Sequence, residues 1–180
     1  FSNRSVTNPA TGEKIPVWIK ELIAKALTDD KTFAYSPTKG LLETRQFLSK
    51  FRNEAGDGKL DPEDILFFNG LGDAVSKVYT NLNENARVIG PSPAYPTHSS
   101  AEAAHAGSSH LTYELNPKRN WLPDINDLRN KVKYNASIAG ILIINPDNPT
   151  GMIYPKAVLK EMVAIAKEHD LFLVSDEIYA

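Results

Sequence analysis

The chain has 180 residues, 42% of them hydrophobic and 23% charged, with a net charge of −2 and no cysteine. That balance is ordinary for a globular protein and excludes a basic footprint for nucleic acid or an anionic membrane. It also excludes a disulfide framework and thiolate chemistry, and the lack of cysteine fits the cytosol. Residues 1–13 are polar, with turn signals at Asn8-Pro9 and Thr11-Gly12, and predict an extended arm. Phe1-Ser2-Asn3-Arg4 lacks the apolar centre of a signal peptide, and no apolar run is long enough to span a bilayer. Pro16 opens a helical pattern with Trp18, Ile19, Leu22, Ile23, Ala26 and Leu27 on one face. Residues 29–40 are loop and carry Tyr35-Ser36-Pro37; a second helix is expected over residues 41–55, with Leu41, Leu42, Phe47, Leu48 and Phe51 as its apolar members.

After Gly56-Asp57-Gly58 the pattern changes. Short apolar runs at residues 65–68, 87–89, 111–113, 138–144 and 171–174 alternate with helical stretches near 72–82, 95–106, 124–133 and 155–169. Strands alternating with helices predict an α/β fold, a mostly parallel sheet with helices on both faces. The last helix is the clearest: Pro155 suits its first turn, and Val158, Leu159, Met162, Val163 and Ala166 form one stripe. The change of pattern places a domain boundary near residue 56. Ala180 follows directly on a strand and turn with no helix after it, so a continuation of the fold is expected.

Four strand ends carry unusual turns. Asn69-Gly70-Leu71-Gly72-Asp73-Ala74 runs into a helix. Its glycines permit close backbone approach and the helix start offers free N–H groups, which suits a phosphate. A tight turn with Asp73 on the helix dipole accounts for the same residues. It is no dinucleotide fingerprint, because the third glycine is missing, and no Gly-Lys-Ser/Thr follows. Gly90-Pro91-Ser92-Pro93-Ala94-Tyr95-Pro96 is stiffened by its prolines and offers Tyr95 to stack on a flat ligand, or to pack a helix start. In Asn145-Pro146-Asp147-Asn148-Pro149-Thr150-Gly151, Asn148 is restricted by Pro149 and projects its amide, unless it forms an Asx-turn. Asp176 ends an apolar strand with no Arg or Lys beside it in sequence, which suggests a ligand cation as partner, or a helix N-cap role. Tyr179 can face the same way. In an open α/β sheet these ends share one crevice. Together they describe a pocket for a flat, phosphorylated aromatic with one cationic nitrogen.

The chain resembles the class I/II aminotransferases, pyridoxal phosphate enzymes of fold type I with the aspartate aminotransferase architecture. The match runs from about Tyr35 to Ala180. It rests on the 145–151 turn, on Ser175-Asp176-Glu177-Ile178-Tyr179-Ala180, on Tyr35 with Gly40 and Arg45, and on Pro93-Ala94-Tyr95-Pro96. The resemblance implies pyridoxal 5'-phosphate as cofactor, an amino acid and a 2-oxo acid as substrates, no metal, and a cytoplasmic homodimer. It implies an N-terminal arm, small-domain helix and linking helix over residues 1–55, and a partial cofactor-binding large domain over 56–180. Asp176 would pair with the pyridine nitrogen, Asn148 and Tyr179 would hydrogen-bond the phenolic oxygen, and Tyr95 would stack on the ring. Gly70, Leu71 and Gly72 would give N–H groups to the phosphate, and Tyr35 would reach the phosphate of the partner subunit.

The glycine turn lacks the Ser or Thr hydroxyl frequent in relatives, and Asp73 puts a negative charge near the anion. The lysine that forms the Schiff base with the cofactor is expected beyond Ala180, and the substrate-carboxylate arginine further still. Lys77 and Lys118 are expected as solvated surface, so the chain alone should not transaminate. A β-lyase or decarboxylase of the same fold would use the same ring-holding residues, and a non-catalytic cofactor-binding fragment is a further alternative.

Overall fold

The computed structural model describes residues 11, 12, 14–56 and 58–180. The arm expected over residues 1–13 therefore lies, apart from Thr11 and Gly12, outside the described residues. The chain divides between Phe67 and Phe68 into two compact units.

In the first unit, α1 (Val17–Ala26) starts after Pro16 and α2 (Leu42–Ala55) after Leu41, close to the pattern in the sequence. α1 has its apolar stripe but buries none of it. α2 is held by polar bonds rather than by its apolar members. Ser49 Oγ donates to Leu60 O at 2.6 Å, and Asn53 exchanges bonds with Leu60 N and O at 2.7 and 2.9 Å. The buried Arg45 guanidinium donates to Pro62 O at 2.8 Å, to Glu63 Oε1 at 2.6 Å and to Gly40 O at 3.3 Å. A buried charge requires such partners. These bonds fold residues 60–63 back on α2, which is why the compact unit extends past the change of pattern at 56–58. The Arg45 hydrogen bond, aided by Lys39, holds the Glu63 carboxyl down at about 2.

The second unit is built on a five-stranded sheet of order β3-β2-β1-β4-β5. The strands are β1 (Arg87–Ser92), β2 (Thr112–Asn116), β3 (Leu122–Pro123), β4 (Ile138–Ile144) and β5 (Phe172–Asp176). All pairs are parallel except β2–β3. The connecting helices are α3 (Leu71–Thr80), α4 (Pro96–Ala106), α5 (Ile125–Tyr134) and α6 (Lys156–Glu168). Alternate residues of β4 serve opposite faces. Ile141 and Ile143 pack with Leu128, Val132, Met162 and Ile165 of α5 and α6, while Leu142 and Ile144 pack with Val75 and Tyr79 of α3. A central parallel strand covered on both faces must be apolar throughout, and each fully buried aliphatic side chain contributes about 1.5–3 kcal/mol. The fold class is therefore the expected one.

Two elements differ from the expectation. Residues 65–68 are not a strand, and Leu66, Phe67 and Phe68 are exposed. A strand needs a neighbour to take its N–H and C=O groups, and none among the described residues pairs with that run. The short antiparallel β3 carries no alternation long enough to be seen in sequence. No helix among the described residues is long and apolar enough to cross a membrane.

Candidate functional site

Because β1, β4 and β5 run parallel, their carboxyl ends share one edge of the sheet. Asp176 is the last residue of β5 and only 5% exposed. Its Oδ1 accepts the Ile178 N–H at 3.1 Å, so the turn-stabilising role is present. Its Oδ2 lies 2.8 Å from His98 Nε2, and the histidine is equally buried. The sequence offers no Arg or Lys beside Asp176 and suggests a ligand cation as its partner; the structure adds a partner from the chain itself. The partner is a histidine from the first turn of α4, distant in sequence. With Nε2–H given to the carboxylate, the buried His98 Nδ1 has no partner among the described residues. A histidine three positions after Tyr95 on a helix lies on the same face, a signal present in the sequence but not used. The Tyr95 and His98 rings meet edge to face with centroids 6.1 Å apart.

The 145–151 turn leaves β4 beside β5, and Asn145 N–H donates to Asp176 O at 3.0 Å. Asn145 Oδ1 accepts the Tyr154 N–H at 2.9 Å. Asn148 is half-buried and its Nδ2 stands 3.5 Å from the exposed Tyr179 hydroxyl, so the two expected groups are brought together. The Asx-type turn is made by Asp147 rather than Asn148: its Oδ2 accepts Thr150 N–H at 3.2 Å and Thr150 Oγ1–H at 2.5 Å. Asp147 is buried, and sequence reasoning passed over it. Tyr154, also missed, donates its hydroxyl to Asp147 Oδ1 at 3.3 Å. Burial and the nearby Asp147 raise the Tyr154 phenol, which stays a neutral donor.

At α3, Gly70 is the N-cap with φ +85° and no side-chain cap bond. A Cβ at Gly70 or Gly72 would meet nothing within 4 Å, so the helix start opens outward. Asp73 turns its carboxylate back to accept the Asn69 N–H at 3.2 Å. Leu71, Tyr95 and Val174 pack against one cluster containing Val88, Leu142 and Ile144, which ties the α3 start, the β1 turn and β5 to one core. Tyr35 belongs to the other compact unit and is fully exposed. Gly40 and Arg45 of the same motif form the α2 bracket described above, a structural role. Lys77 and Lys118 are exposed, as expected.

The arrangement fits the cofactor that the sequence suggests. Each Asp176 oxygen has one partner and keeps further acceptor capacity for a cationic ring nitrogen. Two neutral donors, Asn148 and Tyr179, sit where one acceptor oxygen can bridge them. The first-turn N–H groups of α3 lack a side-chain cap, which suits a phosphate at a helix N-terminus.

Residues 5–180 match the family model described as aminotransferase class I and II. An uncharacterized aminotransferase of Methanocaldococcus jannaschii is 58% identical over 170 residues, covering 94% of this chain and 39% of that protein. The glutamate-pyruvate aminotransferase AlaA of Escherichia coli is 34% identical over 146 residues, 81% of this chain and 35% of that protein. Among solved structures, an aminotransferase from Escherichia coli superposes with a TM-score of 0.84 at 30% identity, covering 97% of this chain and 42% of that chain. Alanine aminotransferase from Pyrococcus furiosus gives 0.81 at 29% identity, over 91% and 41%. The chain thus spans well under half the length of the relatives it matches.

Proposed function

The chain belongs to the aminotransferase class I and II family, whose cofactor is pyridoxal 5'-phosphate, and from that premise we propose that it is the N-terminal part of an enzyme moving an amino group between an amino acid and a 2-oxo acid. The observation that carries this reading is the buried Asp176 carboxylate at the end of β5, beside the Asn148–Tyr179 pair at the end of β4. When bound, the cofactor supplies an electron sink for the substrate's Cα–H electrons.

This chain's residues hold that sink in its active form. Asp176 would pair with the pyridine nitrogen by a charge-assisted hydrogen bond, favouring its protonated form in a site sheltered from water. His98 fixes the carboxylate's orientation through Oδ2. Asn148 and Tyr179 would donate to the phenolic oxygen. Tyr95 would stack on the ring, and the N–H groups of Gly70, Leu71 and Gly72 would hold the phosphate. Tyr35 reaches the phosphate held by the partner subunit of a homodimer. Helices α1 and α2 would be the small-domain helix and the linking helix, and the large domain would begin after α2. A lysine to carry the cofactor would lie in the part of the relatives' length that this chain does not span. The protein works in the cytoplasm, in amino acid biosynthesis.

The names of AlaA and the Pyrococcus enzyme make alanine with 2-oxoglutarate the first pair to test. The full-length protein with pyridoxal phosphate is expected to yield pyruvate and glutamate in equal amounts. Release of free ammonia or carbon dioxide from amino acids, with no amino transfer to any 2-oxo acid, would overturn the proposal in favour of a lyase or decarboxylase.

A further inference from the structure

Asp147 carries a charge into the interior next to the group that faces the cofactor, and nothing in the chemistry of the site uses it directly. It is 3% exposed. A buried carboxylate persists only with a set of donors, and this one has three: Thr150 N–H, Thr150 Oγ1–H and Tyr154 O–H. Its backbone is pinned as well, since Asp147 N–H donates to Met152 O and Asp147 O accepts from Gly151 N–H, both at 2.8 Å. Thr150 Oγ1 in turn accepts the Met152 N–H at 3.2 Å. Tyr154 is itself anchored: it is buried in the α5–α6 side of the core beside Tyr113, whose hydroxyl reaches Leu142 O of β4 at 2.9 Å. Hydrogen bonds therefore tie Asp147 and Thr150, on either side of Asn148, to one another and to Tyr154 in the core. Among the described residues, by contrast, the hold on the Asn148 side-chain amide is the distant Tyr179 hydroxyl at 3.5 Å.

We propose that Asp147 is a positioning residue that fixes Asn148 toward the cofactor, with Tyr154 and Thr150 as the struts through which it acts. A side chain half-exposed on a turn keeps one orientation only if the turn itself is over-determined. The carboxylate does this where an amide or an alkyl group could not, because it accepts from all three donors at once. The inference rests on the assignment of Asn148 to the cofactor's phenolic oxygen, and the test separates the two.

The test is a double-mutant cycle in the full-length protein, read as the affinity of the apo form for pyridoxal phosphate and as the absorption band of the bound cofactor. Asp147→Ala is expected to weaken binding about tenfold and to shift the band in the same direction as Asn148→Ala. In the Asn148→Ala background, Asp147→Ala should add less than about twofold. Tyr154→Phe should follow the same pattern with a smaller effect, and it decides the matter if Asp147→Ala does not fold. Equal losses from Asp147→Ala or Tyr154→Phe in both backgrounds would show a general structural role and overturn the proposal. So would an Asp147→Ala protein with unchanged affinity and spectrum beside an impaired Asn148→Ala protein. An unaltered Asn148→Ala protein would instead remove the assignment of Asn148, and this inference with it.

Discussion

At the residue scale the Asp176–His98 pair decides what the sheet edge can do. An acid at the end of a strand was visible in the sequence, because Asp176 interrupts an apolar run. That His98 meets it was not, because 78 positions separate the two and only the fold brings the start of α4 to the end of β5. The same holds for Asp147, whose donors Thr150 and Tyr154 lie nearby in sequence but whose burial depends on the core behind them. His98→Phe leaves a buried Asp176 oxygen without its donor. It should cost about 1–3 kcal/mol of stability in urea unfolding of the full-length protein, and weaken cofactor binding as well. A stability change below about 0.5 kcal/mol would mean that the pair is not formed.

At the element scale, α3 and α2 make separate predictions. Gly70 adopts φ +85° and ψ 168°, a region closed to side chains on backbone grounds even though space is open around it. Gly70→Ala should cost about 1–3 kcal/mol and disturb the phosphate site, seen as lost affinity for pyridoxal phosphate. Retained affinity with retained stability would contradict the proposed cradle. In the first unit, Glu63 is held below its ordinary 4.5 by Arg45 and Lys39. A depressed carboxyl stabilises the fold above pH 4.5, and the effect fades as pH falls toward 2. The gap in melting temperature between the parent protein and Glu63→Gln should therefore be fully open at neutral pH and close across that window. A gap independent of pH would argue against the bracket. The elements themselves were largely legible. The residues of β4 and the stripe of α6 follow from periodicity, since both are dictated by two-sided or one-sided burial. The run at 65–68 was misread because apolarity announces burial, whereas a strand also needs a neighbour for its backbone.

At the scale of the whole molecule, the parallel order β2-β1-β4-β5 sends the chemistry-bearing turns to one edge and the structural polar pairs elsewhere. Arg87, at the start of β1, forms a part-buried ion pair with Glu102 at 2.5 Å, near the opposite edge from Asp176. The two-sided core backs the strands that end at the site. Met162→Ala, at a fully buried position facing the sheet, should cost about 2–5 kcal/mol in unfolding of the full-length protein. A loss under about 1 kcal/mol would mean that the helix–sheet contact is loose. The proposed role of Asp176 in sustaining the cofactor's electron sink is tested by kcat/KM for transamination by full-length Asp176→Ala against the unaltered protein, at saturating pyridoxal phosphate. A loss far beyond tenfold with the fold retained is expected; activity within about tenfold, roughly 1.4 kcal/mol of barrier, would overturn that role.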